Sequence, residues 1–158
     1  MVRTQTFGIS TDKPVPSDYD GDGKADFAVY RRSGPSGGLW FVLRSSDQTF
    51  IAQAFGASSD VPVVGDYDGD GKTDMAVFRP INNTWYVLQS SNGVFTGQKF
   101  GSGFDVPAAG DFDGDGKTDI AVFRGSNGTW YILQSNAGFR AQQFGLDADR
   151  PAEAAYVQ

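Results

Sequence analysis

Three stretches of this chain concentrate ligand chemistry: Asp18–Asp26 (DYDGDGKAD), Asp66–Asp74 (DYDGDGKTD) and Asp111–Asp119 (DFDGDGKTD). Each sets carboxylates at relative positions 1, 3, 5 and 9, with glycine at 4 and 6. Four negative charges within nine residues, offset by one lysine, repel one another unless a cation sits among them. Aspartate oxygens are hard donors, so the ion they suit is divalent, and calcium is the natural candidate. Gly23, Gly71 and Gly116, at position 6, permit the sharp turn that such a loop needs. Three calcium sites are therefore expected, with the ion fixing a loop to the strand that leaves it.

Other chemistries are poorly supplied. The chain has neither cysteine nor histidine, which removes disulfides, thiolate metal sites, the usual zinc ligand and the commonest general base. Glu153 is its sole glutamate. No acidic cluster outside the repeated loops suggests the carboxylate pair of a glycosidase, so a non-catalytic protein is expected. The 13 Lys and Arg are scattered singly, the longest basic run being Arg31-Arg32, which argues against nucleic-acid binding. Net charge is −6, but twelve of the 19 acidic residues lie in the three loops, so the acidity is local ligand charge. With 39% hydrophobic and 14% aromatic residues the chain is too rich in core formers for a disordered acidic segment. No apolar run approaches the ~20 residues of a membrane helix. Residues 1–5 do not read as a signal peptide, so secretion would require a signal outside these residues.

The elements that must position the loops follow from internal repetition. Phe7, Phe55 and Phe100, each followed by Gly, precede a loop's first Asp by eleven residues, and the loops are 48 and then 45 residues apart. The three extra residues fall between Arg31 and Trp40, where a longer turn replaces those around Asn82-Asn83 and Asn127-Gly128. Each unit reads as four short strands. In the second unit, residues 62–65 lead into the loop and 74–79 leave it, followed by 84–89 and 94–100. Counterparts are 27–31, 39–44 and 49–55 before it, and 120–124, 129–134 and 138–144 after it. Met75 and Val77 face one side and Ala76 and Phe78 the other, so both faces of the strand are apolar. Position 12 of each loop is valine (Val29, Val77, Val122) inside such a strand. An EF-hand or dockerin needs an acidic residue near there, and flanking helices. The chain is predicted to be all-β.

A four-stranded unit of ~45 residues with two apolar faces suits a propeller blade packed between neighbours. The Phe-Gly start, the D-x-D-G-D-G-x-x-D loop and the following A-V-[FY]-R strand resemble the FG-GAP/VCBS repeats of integrin-α-like calcium-binding β-propellers, over nearly the whole chain. The resemblance implies that the loop joins the first two strands of a blade and binds calcium. The implied ligands are Asp18, Asp20, Asp22 and Asp26, then Asp66, Asp68, Asp70 and Asp74, then Asp111, Asp113, Asp115 and Asp119. The backbone carbonyls of Lys24, Lys72 and Lys117 would serve at position 7. It also implies an extracellular binding or structural module, acting in adhesion, assembly or protein contact. A lectin-like propeller, or the accessory propeller of a secreted polysaccharide-active enzyme, is the alternative.

On this frame the chain is one repeat domain, 1–158. Blades span 9–56, 57–101 and 102–145, with 1–8 a last strand of a partial blade and 146–158 a first strand of a further one. Ala155 stands where that further unit would carry its first loop Asp. Three blades are fewer than a propeller's usual four, so the expected partners are other copies of the chain or the remainder of a longer propeller. Trp40, Trp85 and Trp130 recur mid-strand, as do Phe41, Tyr86 and Tyr131, and buried packing between blades is the preferred reading over sugar stacking. Arg31, Arg79 and Arg124 recur at strand ends, with Asp12, Asp60, Asp105 and Asp149 as candidate ion-pair partners. Asn82-Asn83-Thr84 and Asn127-Gly128-Thr129 fit the N-glycosylation pattern at equivalent turns, although turn chemistry before a strand is the preferred reading.

Overall fold

The computed structural model describes residues 4–33 and 37–152, and within them the chain is all-β apart from one 3-10 turn at Gly125–Asn127. The first sheet contains β1 (Lys13–Pro14), β2 (Phe27–Arg32), β3 (Gly38–Leu43) and β4 (Phe50–Ala54). The second contains β5 (Val61–Pro62), β6 (Met75–Arg79), β7 (Thr84–Leu88) and β8 (Phe95–Lys99). The third contains β9 (Val106–Gly110), β10 (Asp119–Arg124), β11 (Thr129–Gln134) and β12 (Gly138–Gln143). In each sheet the strands pair antiparallel in sequence order, which is a four-stranded meander. The first strand is two residues long in β1 and β5 and five in β9, although each carries a proline (Pro14, Pro62, Pro107) that cannot donate to the ladder.

The second and third strands of each sheet form its core. β6 reads half-buried, buried, buried, buried, half-buried, as the apolar character of both its faces requires. Cross-strand pairing sets Tyr30 opposite Trp40, Phe78 opposite Trp85 and Phe123 opposite Trp130. The rings lie 5.0, 5.5 and 5.5 Å apart in tilted contact. Val15, Tyr19, Ala28, Tyr30, Trp40 and Val42 of the first sheet pack on Val77, with Val64, Met75 and Tyr86 of the second sheet alongside. The second sheet repeats the arrangement against Val122, Ile120, Ala109 and Tyr131 of the third. The cores therefore lie between sheets, as between propeller blades.

Of the outer fourth strands, β8 and β12 are solvent-exposed along their length and β4 is exposed except at Ile51. Residues 4–8 and 146–152 carry no strand, where terminal strands are expected from the repeat. A strand exists through its ladder, and among the described residues no strand pairs with 4–8 or with 146–152. Ala155 and Glu153 lie outside the described residues.

Candidate metal centres

Each acidic loop bridges the first and second strands of its sheet. A pair at its base closes it: Ser17 with Asp26, Gly65 with Asp74, and Gly110 with Asp119. Gly21 and Gly23 adopt φ of 80° and 81°, and the other two loops repeat this left-handed conformation. That geometry turns successive amides inward. Asp18 therefore accepts from Gly21 N (2.6 Å) and Asp22 N (3.2 Å) at one oxygen, and from Gly23 N (2.8 Å) at the other. Asp66 and Asp111 are held by the same three amides of their own loops.

With position 1 held this way, the carboxylates at positions 1, 3 and 5 converge. Asp18, Asp20 and Asp22 each place an oxygen within 4.8 Å of the others, as do Asp66, Asp68 and Asp70, and Asp111, Asp113 and Asp115. The fourth Asp stands apart from this triad. Asp26, Asp74 and Asp119 are buried beneath the loop, where one oxygen accepts the amide of position 2 and the other accepts an amide from the turn between the third and fourth strands. For Asp26 these donors are Tyr19 N (2.9 Å) and Ser45 N (2.7 Å). Burial pushes Asp26 up from the ordinary carboxylate range and Asp74 to about 6, against the pull of those amides. At position 7 the lysine amides donate to the position-5 carboxylates at 2.8–2.9 Å, which sets this backbone at the rim of each triad.

The turn between the third and fourth strands supplies a feature that sequence reasoning missed. Ser45 Oγ donates to Asp22 (2.9 Å) and Ser46 Oγ to Asp20 (2.6 Å). Ser90 and Ser91 do the same for Asp70 and Asp68. In the third unit Ser135 Oγ serves Asp115, and the Ala137 amide serves Asp113, because Asn136 replaces the second serine. The repeated Ser-Ser after the third strand was the available signal. Burial pushes Asp22 up, but the Ser45 bond together with those from Lys24 outweighs it and holds Asp22 below the usual range, and the Ser135 bond leads in lowering Asp115. A carboxylate oxygen has two lone pairs, so one hydrogen bond leaves the second for an ion. Three convergent hard-oxygen groups, oriented from behind by hydroxyls and amides, fit a divalent cation.

Successive loops also touch. The Thr73 amide donates to the backbone carbonyl of Asp18 (2.7 Å), and the Thr118 amide to that of Asp66 (2.6 Å). The Ser17 and Thr73 hydroxyls lie 2.6 Å apart. Lys72 lies across the preceding loop, where a Cβ on Gly21 would meet its side chain at 3.1 Å, and Lys117 lies across Gly69 at 2.9 Å.

The remaining recurrent residues find distinct places. Arg31, Arg79 and Arg124 each make a two-pronged bond to Asp12, Asp60 and Asp105 at 2.7–2.9 Å. The guanidiniums stack on Phe41, Tyr86 and Tyr131 at 4.4–4.5 Å from the ring centre. Asp149 accepts the Leu146 amide, as the other three accept the amide three residues earlier. Trp40 and Trp85 are fully buried between sheets, whereas Trp130, on the last sheet, is partly exposed. The Asn82 side chain accepts the Thr84 amide and donates to Tyr86 Oη (3.0 Å), and Asn127 repeats this with Thr129 and Tyr131. Both asparagines are exposed but engaged in the turn.

Among known proteins, the family model described as FG-GAP-like repeat matches twice, over residues 18–77 and 66–122, which together cover more than half of the chain. No curated protein and no solved structure matches it.

Proposed function

The chain belongs to the FG-GAP-like repeat family, and from that premise we propose that it is a calcium-stabilised, non-catalytic module that works outside the cell. The observation that carries this reading is the threefold recurrence of an aspartate triad with its oxygens within 4.8 Å. In the first loop the ion would be held by Asp18, Asp20 and Asp22 with the Lys24 carbonyl, and the other loops would use the equivalent residues. A divalent charge there would offset the carboxylate repulsion and fix the shape of the loop. Asp26, Asp74 and Asp119 act from below, fixing loop to hairpin through their two amide bonds.

The extracellular assignment is supported by the family match, since FG-GAP-like repeats are typically extracellular. Among the described residues no helix is long and apolar enough to cross a membrane. Adhesion or assembly would use the faces between and beyond the blades. Phe144 and Phe112 stand open on the last unit, 77% and 37% exposed, where Phe55 and Tyr19 of the first are covered to a greater degree. Another copy of the chain, or further blades, is the occupant that this face fits.

The test is thermal unfolding of the apoprotein with and without calcium. At a hundredfold excess over the dissociation constant each site should add about 2.7 kcal/mol, giving a large rise in Tm that a chelator reverses. An unchanged transition would overturn the stabilising role. Phe50, Phe95 and Phe139, exposed at equivalent positions on the outer strands, favour one second reading, glycan contact. Binding on a glycan array that is lost in a Phe95→Ser variant would establish it.

A further inference from the structure

We propose that ion binding at neighbouring loops is positively coupled, and that the coupling passes through a single peptide group shared by two sites. The proposal rests on reading the loops as calcium sites. The peptide joining Lys72 to Thr73 belongs to the second loop, and its carbonyl is the position-7 group of that loop. Its N–H points the other way, donating to the backbone carbonyl of Asp18 at 2.7 Å. Asp18 is the first residue of the preceding loop, and its side chain gathers three amides of that loop. The peptide joining Lys117 to Thr118 stands in the same relation to Asp66, at 2.6 Å. One rigid, planar unit thus has its two polar ends committed to successive sites.

Three consequences follow from elementary physics. An ion that immobilises the second loop fixes the plane of this peptide, so the bond to Asp18 forms without further ordering of the chain. A cation on the carbonyl side polarises the peptide and makes its N–H a stronger donor, as in any hydrogen-bonded chain. Coupling of equilibria is reciprocal, so filling the first loop helps the second by the same factor. The Lys72 stem over Gly21 and the Ser17–Thr73 contact hold the two loops in register while this happens. Repulsion between ions opposes the effect, but salt screens it, while the hydrogen bond is short-ranged and unscreened.

The order of contacts makes the coupling a nearest-neighbour one. Among the described residues the second loop is hydrogen-bonded to each of the others, and no such bond joins the first loop to the third. The experiment is a calcium titration of the ¹⁵N-labelled full chain at about 0.15 M salt, a condition where charges interact over ~8 Å. The amides of Gly23, Gly71 and Gly116 give one reporter per loop. Emptying the second loop with Asp68→Asn and Asp70→Asn should raise the midpoints at both Gly23 and Gly116 by about fivefold or more, the lower end of ordinary coupling. Emptying the third with Asp113→Asn and Asp115→Asn should move Gly71 and leave Gly23 nearly in place. Emptying the first with Asp20→Asn and Asp22→Asn should move Gly71 and spare Gly116. Should the second-loop variant lose amide dispersion, the two end-loop variants decide. Unmoved midpoints in folded variants would overturn the coupling while leaving the sites intact. If none of the three glycines responds to calcium in the unmodified chain, the calcium reading fails and the coupling with it.

Discussion

Aspartate fills three jobs in this chain, and the neighbours of each carboxylate decide which. At positions 1, 3 and 5 of a loop it is turned toward its own kind and held there by amides and serine hydroxyls. At position 9 it is buried under the loop and accepts one backbone amide at each oxygen. In the segment before each first strand it takes a guanidinium two-pronged. This last group has a pH signature. The Arg31 bond leads in holding Asp12 below the ordinary value of 3.8, while at Asp105 burial pushes up and the bonds from Arg124 and Ser102 overcome it. A depressed folded-state value means that the stabilisation is fully present above the unfolded value and is lost as pH falls through the folded one. Asp105→Asn should therefore cost about 2 kcal/mol near neutrality, at the low end for a buried pair because Arg124 is one-third exposed. Denaturant unfolding should show the gap between variant and parent closing below about pH 4, and a constant gap would refute the assignment.

The unit of construction is the meander with its loop, and much of it is legible in one sequence. Repetition located the loops, and the unbroken apolar run Met75-Ala76-Val77-Phe78 marked a strand buried on both faces. The recurrence of Arg and D-x-P even pointed to the right ion pairs, since equivalent residues in equivalent units share an environment. What stayed hidden depends on chain segments brought together only by folding. The serines that grip Asp20 and Asp22 lie more than twenty residues downstream, and nothing in a Ser-Ser dipeptide says which loop it will face. The Thr73 amide meets Asp18 only because one sheet stacks on the next. Stacking also distinguishes residues that the repeat makes equivalent. Trp85→Ala removes a ring enclosed on both sides and should cost about 4 kcal/mol, and Trp130→Ala on the open sheet about half of that. Equal losses in paired chemical denaturation curves would mean that the sheets do not stack in solution as described.

At the scale of the whole molecule, three sheets with cores between them leave apolar side chains open on the third sheet. Leu146 and Phe144 are 74% and 77% exposed beside Trp130, so this edge offers apolar surface to a further blade. Sedimentation at calcium saturation should return a mass above the 17.0 kDa of one chain, with Phe144→Ser shifting it back toward that value. A parent chain that stays at 17.0 kDa at high concentration would exclude self-assembly. The lysine that crosses each preceding loop carries a consequence for how such a repeat can change over generations. Gly21 and Gly69 are confined twice, by a left-handed backbone and by the Lys72 or Lys117 stem above them, whereas Gly114 has the same backbone and nothing within 4 Å. Identical letters in a duplicated motif are thus unequally free to drift. A copy with open space above this glycine can wander toward asparagine or aspartate, the residues that best tolerate that backbone, while a copy under a lysine stem is held to glycine more tightly.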